Sequence, residues 1–223
     1  MNIDKYQDDI TRISFGNKDI KEISNLSRFY KLDTLFCPYN QLITLPNLPN
    51  TLIRLECSNN QITVLPLLPD TLKILYCSHN QLKKLPLLPN NLKRLDCSYN
   101  QLEEISLIPN TLIDICCYKN NLILLPILSP TLEYINYMFN PIHDLIKSED
   151  FQIINKKCNI IRHFKFYYNA TKIRNFYYVK IKEPNIKVKA HPNNLIKMIE
   201  ENPNMDIELI IKNFEDNIDS KYT

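Results

Sequence analysis

The sequence predicts an α/β repeat solenoid with a parallel concave sheet, an extended, polyproline-like convex side and a small helical cap at its C-terminal end. Three observations predict it. From Leu32 onward the chain repeats itself every twenty residues, with Asn at one fixed place in each copy and Pro at fixed places in most. The third is the turn chemistry: a single glycine, Gly16, stands among 223 residues that hold fourteen prolines. A chain that turns often usually uses glycine, so here Asn and Pro must make the turns, and make them in the same way each time. Self-similarity at such a period is the mark of stacked rungs, each burying its apolar face on its neighbours.

Residues 1–9 read as a lead-in, 10–145 as seven rungs and 146–223 as a mostly helical appendage. The copies at 52–66, 72–86, 92–106 and 112–126 share one register. The copy at 32–46 fits upstream, one at 10–24 fits twenty-two residues earlier, and 132–145 is a last, degraded copy. The unit is LxxLxCxxNxLxxLPxLPxx. In Thr34-Leu35-Phe36-Cys37, Leu35 and Cys37 point inward and Thr34 and Phe36 outward, the alternation of a short strand. Asn40, Asn60, Asn80, Asn100, Asn120 and Asn140 follow as a ladder whose buried amides can satisfy backbone groups left unpaired by the bend. Leu42, Ile62, Leu82, Leu102 and Leu122 fill the core. Two prolines three residues apart then favour an extended return over a helix.

Cys37, Cys57, Cys77, Cys97 and Cys117 recur at an inward position. None has CxxC spacing, so neither a metal nor a cofactor is expected. In-register thiols on parallel strands point the same way and not toward each other, and a small, buried apolar residue suits a narrow core. Cys116, in an outward position, and Cys158, beyond the repeats, are the expected reactive thiols. No glycine-rich phosphate loop, paired catalytic carboxylates or nucleophile–base pair is present, so catalysis is not expected.

With the core positions committed to stacking, function falls to the outward faces. One concave column reads Thr34, Arg54, Ile74, Arg94, Asp114, Tyr134, and the next Phe36, Glu56, Tyr76, Asp96, Cys116, Asn136. Tyr39, His79, Tyr99, Tyr118, Lys119 and Phe139 follow the cysteine position. Aromatics mixed with both charges are enriched where proteins bind proteins. The expected binding residues are Phe36, Arg54, Glu56, Tyr76, Arg94, Asp96, Tyr99, Tyr118 and Tyr134. The competing reading is lattice packing, with Arg54 and Arg94 pairing with Glu56 and Asp96. His79 reads as a surface residue. Lys83 and Lys84 sit one rung from Glu103 and Glu104, which reads as charge compensation between neighbours.

After Leu145 the composition changes. Residues 156–189 carry ten Lys and Arg against one acid, Glu183, interleaved with Phe164, Phe166, Tyr167, Tyr168, Phe176, Tyr177 and Tyr178. Phe166, Ala170, Ile173, Tyr177 and Ile181 share one face of a helix over 160–181, which Pro184 ends. Further helices are expected at 191–199 and 206–214. Basic residues among aromatics can hold RNA or single-stranded DNA. The favoured reading is a cap whose aromatics cover the open end of the solenoid.

The rung matches the leucine-rich-repeat template LxxLxLxxNxL, with Cys in one Leu slot. The N-x-L-x-x-L-P-x-L-P run at Asn60 to Pro69 and Asn80 to Pro89 resembles the short repeats of secreted bacterial effectors. LPxLP repeats with an inward Cys also resemble those of giant nucleocytoplasmic DNA viruses. Lys180-Ile181-Lys182-Glu183-Pro184-Asn185-Ile186-Lys187, then His191-Pro192-Asn193-Asn194-Leu195-Ile196, is similar to a tail on proteins of those viruses, with Tyr177 and Tyr178 where Trp often stands. These resemblances imply a protein-interaction module and an unidentified protein partner, in the cytosol of an infected host if the origin is viral. Some effectors with these repeats carry a ubiquitin-ligase domain. Here Cys158 is followed by Asn159-Ile160 and not by an acidic C-x-D context, so that activity does not carry over.

No run of about eighteen apolar residues is present, and the start is polar without an apolar h-region, so a cytoplasmic monomer that binds no membrane is expected. The sequons at Asn25 and Asn169 then count as chance matches. A net charge of +3 gives no reason to expect nucleic acid.

Overall fold

The computed structural model describes residues 3, 6–105, 107–146, 148, 150–159 and 162. Seven three-residue strands, β1 (Arg12–Ser14), β2 (Thr34–Phe36), β3 (Arg54–Glu56), β4 (Ile74–Tyr76), β5 (Arg94–Asp96), β6 (Asp114–Cys116) and β7 (Tyr134–Asn136), form one parallel sheet in chain order. The register steps by twenty-two residues once, Arg12 opposite Thr34, and by twenty thereafter, from Thr34 opposite Arg54 to Asp114 opposite Tyr134. In β1 to β6 the middle residue is buried, and of the flanking positions only Glu56 joins it, the alternation that Leu35, Leu55 and Leu75 dictate.

The core is a stack of columns. Leu32, Leu52, Leu72, Leu92 and Leu112 form one, Leu42, Ile62, Leu82, Leu102 and Leu122 another, and the five rung cysteines a third, all without solvent exposure. Full burial stabilises by roughly 1.5–3 kcal/mol per leucine. Among the described residues the return strokes of the rungs contain no helix. Each closes with a backbone turn, Leu72 N to Pro69 O (3.0 Å) and Leu92 N to Pro89 O (3.0 Å), and the last uses Ser129 in place of proline. Below the first rung, Arg28 ties down the lead-in by donating to the carbonyls of Ile3 (2.6 Å) and Tyr6 (3.0 Å) and pairing with Asp8.

The seventh copy does not end in an extended return. After Asn140 the chain enters helix α1 (Pro141–Ile146). Proline fits the first helical turn because its missing N–H would be unpaired there anyway. In earlier rungs this position donates its N–H to the core residue one rung back, as Gln81 does to Ile62. Pro141 cannot, so Ile142 takes the bond to Leu122 O (2.9 Å) and is itself buried.

The chain divides into two compact units, Met1–Asp144 and Leu145–Thr223. Within the second, residues 151–159 form a helix that the sequence reading did not include. Asp150 starts it by accepting the N–H groups of Gln152 (2.7 Å) and Ile153 (3.2 Å), the role of an N-cap. Ile154 and Cys158, four apart on one face, are buried. Apart from 156–159 and Arg162, the basic aromatic segment 156–189 lies outside the described residues, as do most of the expected helix at 160–181 and all of those at 191–199 and 206–214.

Candidate functional site

The asparagine ladder belongs to the core. Asn80 Nδ2 donates to Cys77 O (3.1 Å) and Ser78 O (3.2 Å) of its own rung and to Cys57 O (3.1 Å) of the rung before. Its Oδ1 accepts the N–H of Ile62 at 2.9 Å. Asn60, Asn100 and Asn120 repeat the arrangement, and Asn140 does so with Tyr137 and Met138 as its own-rung carbonyls. Asn40 closes the first rung, accepting from Lys18 and Ile20 and donating to Phe15 O. One amide therefore clasps two rungs.

All seven cysteines are free. Burial, with neighbouring thiols and acids as the smaller cause, pushes the thiols of Cys57 and Cys97 well above their ordinary range. The two expected reactive thiols are corrected. Cys158 is buried, and Cys116, half exposed, is pushed up to about 11, first by burial and then by the carboxylates of Asp96 and Asp114. A nucleophilic cysteine needs its thiolate, which the setting of Cys116 disfavours, and solvent access, which Cys158 lacks. Among the described residues no group of three His, Cys, Asp or Glu side chains could hold a metal ion.

On the concave face the arginines reach across rungs. Arg12 lies over the Phe36 ring (5.7 Å) and Arg54 over Tyr76 (5.1 Å), while Arg94 Nε meets Asp114 Oδ2 at 3.0 Å. Pairing within the rung, Arg54 with Glu56 and Arg94 with Asp96, does not occur. Residues two apart on a strand are separated by nearly 7 Å, whereas adjacent strands lie about 4.8 Å apart, so a side chain meets the next rung first. Glu56 and Asp96 instead accept the N–H groups of Ser58 (3.1 Å) and Ser98 (2.9 Å), two residues on. Glu56 is buried, so this carboxylate offers little to a partner. Phe36, Tyr76 and Asp96 are half-buried, and Tyr134 is exposed. Among the described residues no ion pair joins Lys83 or Lys84 to Glu103 or Glu104, so the compensation expected there takes no direct form.

The backbone along one edge of this face was not anticipated. Tyr39, Asn59, His79, Tyr99, Lys119 and Phe139, one per rung, all have φ between 52° and 57°. Among these types Asn and His adopt the left-handed region most readily, and the others lose roughly 1–2 kcal/mol there. Stacking returns part of that. His79 stacks on Tyr99 at 4.0 Å and 15°, Tyr99 meets Tyr118 at 5.3 Å, and Tyr118 meets Phe139 at 5.0 Å. Lys119 lies over Tyr99 at 5.1 Å. Yet Tyr39 and Phe139 stay 62% and 64% exposed, so large apolar rings face solvent from a strained backbone. The signal was in the sequence. Asn59 stands in this column, and the residue before each ladder asparagine is where these glycine-free rungs turn left-handed.

Comparison with known proteins fits this geometry. A family model described as leucine-rich repeats (2 copies) matches residues 70–110. The structure of a Shigella effector LRR domain is similar at 32% identity and a TM-score of 0.55, over 59% of this chain and 59% of that one. YopM, a leucine-rich effector protein from Yersinia pestis, is similar at 33% identity and a TM-score of 0.55, over 58% of this chain and 37% of its own. The functional domain of InlJ from Listeria monocytogenes, which includes a cysteine ladder, is similar at 27% identity and a TM-score of 0.52, over 58% of this chain and 30% of its own. The chain thus spans less than two thirds of each of these proteins. No curated protein matches it in sequence. Strand register, asparagine ladder and these likenesses agree: the rungs fold as a leucine-rich-repeat solenoid, similar to the repeats of bacterial effector proteins.

Proposed function

We propose that the solenoid is a protein-interaction module that binds a partner on its concave face and performs no catalysis. The observation that carries this reading is the aromatic edge. Backbone strain persists where surrounding structure or function requires it, and Asn or Gly in place of Tyr39 or Phe139 would remove it. Tyr76 and Arg54, held together at the centre of the face, form a preorganised aromatic–cation pair of the kind found at hot spots. Leucine-rich-repeat domains generally mediate protein–protein interaction, and the effector likenesses support protein partners in general. The binding set is Phe36, Arg54, Tyr76, Arg94, Tyr99, Tyr118 and Tyr134, with Glu56 and Asp96 shaping the rung ends. The tail resemblance at Lys180 to Ile196 supports a viral origin, and with it a partner in the host cytosol. Among the described residues no helix is long and apolar enough to cross a membrane.

The test begins with a partner captured by the full chain. Replacing Tyr76 and Arg94 together by alanine is expected to weaken its binding by at least ~2 kcal/mol, the usual hot-spot threshold. Folding stability should fall by less than the binding does, because the Arg94–Asp114 pair is largely exposed and Tyr76 is only half-buried. Unaltered affinity in the double variant, with loss on neutralising the lysines of 172–189, would move the function to the tail.

A further inference from the structure

The convex side carries a second surface that the concave reading does not use. Leu67, Leu87, Leu107 and Ile127 occupy the same place on four successive rungs and are 86%, 83%, 73% and 65% exposed. They form an apolar ridge that ends at Asn47 on one side and at the last rung, where α1 replaces the return, on the other. Leucines this exposed do not serve the core that the neighbouring prolines and Leu65, Ile105 and Leu125 fill, and a contiguous apolar stripe marks an interaction site.

The columns beside the ridge identify the occupant. The first reads Val64, Lys84, Glu104, Leu124, and the second Thr63, Lys83, Glu103, Ile123. Lys84 and Glu104 line the same groove as Leu67, Leu87 and Leu107. The two charged columns are self-complementary about the boundary between the fourth and fifth rungs, with base opposite acid at the centre, and the ridge is apolar on both sides of it. A two-fold axis crossing the ridge at that boundary, in the plane of contact, exchanges rung four with rung five and rung three with rung six. Leu87 then meets Leu107 of a second copy, Leu67 meets Ile127, and Lys83 and Lys84 meet Glu103 and Glu104. An isologous interface requires this kind of self-matching patch. The four charges are exposed and form no ion pair within 4.0 Å among the described residues, so they are available to a partner.

We infer that the convex ridge is a homodimer interface, with two copies packed back to back and antiparallel, leaving both concave faces open. This departs from the monomer expected above. Charge reversal tests it in the full-length protein. By sedimentation equilibrium the wild type is expected to form a concentration-dependent dimer. Lys83→Glu/Lys84→Glu faces acid with acid, and Glu103→Lys/Glu104→Lys faces base with base. Each should raise the dimer dissociation constant by about tenfold or more. Mixed in equal amounts, the two variants should form a heterodimer, since every contact across the axis is again opposite in charge, and neighbour compensation within one chain cannot produce that recovery. Leu87→Glu, which leaves those charges alone, should also be monomeric, with an unchanged far-ultraviolet circular dichroism spectrum. A wild type that stays monomeric at about 100 μM, a dimer indifferent to these changes, or two monomeric variants that do not combine would each overturn the inference.

Discussion

Raising the pH from neutrality to about 10 is expected to unfold the solenoid. In the unfolded chain the thiols ionise around 9.0, whereas in the rungs the side chains of Cys37, Cys57, Cys77, Cys97 and Cys117 are buried and held protonated. Their folded pKa values are raised, so the stabilisation is complete below the unfolded value and is lost as pH climbs above it. One unit above that value each such thiol costs about 1.4 kcal/mol. Five together cost about 7 kcal/mol, comparable with the whole stability of an ordinary domain. Urea midpoints between pH 7 and 10 measure the effect. Cys77→Ala should start less stable, because it leaves a cavity, but should lose less with each pH unit, by one proton's share. A midpoint independent of pH over this range would mean that the thiol column is not dry.

The second large effect is in the asparagine ladder. Asn80→Ala in a central rung is expected to lower stability by about 3 kcal/mol, the upper end of the cost of an orphaned buried donor. Ile62 N–H has its bond only to Asn80 Oδ1. The carbonyls of Cys57, Cys77 and Ser78 would each lose one donor but keep another, from Asn60, Asn100 and the Asn59 N–H. The loss should therefore fall on rungs three and four, readable as faster amide exchange at Ile62. An unchanged denaturation midpoint would contradict the register described here.

The frame was legible because it is simple. A leucine or isoleucine in the middle of every strand, an asparagine at one fixed offset and a twenty-two-residue first step leave one way to stack the rungs. What escaped has identifiable physical causes. The consensus LPxLP treats its middle residue as free, and Leu67, Leu87, Leu107 and Ile127 are therefore lost in the template although they are the most exposed leucines and isoleucine of the solenoid's ridge. Residues 132–145 read as a last, degraded copy, yet proline at 141 is suited to a first helical turn. Arg54 and Arg94 sit beside acids in sequence, but strand geometry sends them to the next rung, and the acids turn to the N–H groups two residues on. The left-handed edge was marked only by Asn59 and His79, since Tyr, Lys and Phe are poor markers of positive φ. The helix at 151–159 buries only a thin stripe through Ile154 and Cys158, too little apolar period to read.

If the aromatic edge of the concave face is kept for binding at a cost in stability, replacing Tyr39 and Phe139 together by asparagine should move stability and binding in opposite directions. Asparagine accepts the left-handed backbone, and the strain released, about 1 kcal/mol at a position such as Tyr39, exceeds the stacking lost where the ring is mostly exposed. The paired measurement is the urea midpoint and the affinity for the partner captured by the wild type. The expected result is a midpoint equal to or above that of the wild type and a partner affinity at least tenfold weaker, about 1.4 kcal/mol. A variant that is less stable and binds the partner as before would show that the rings serve the packing of the rungs and not a partner.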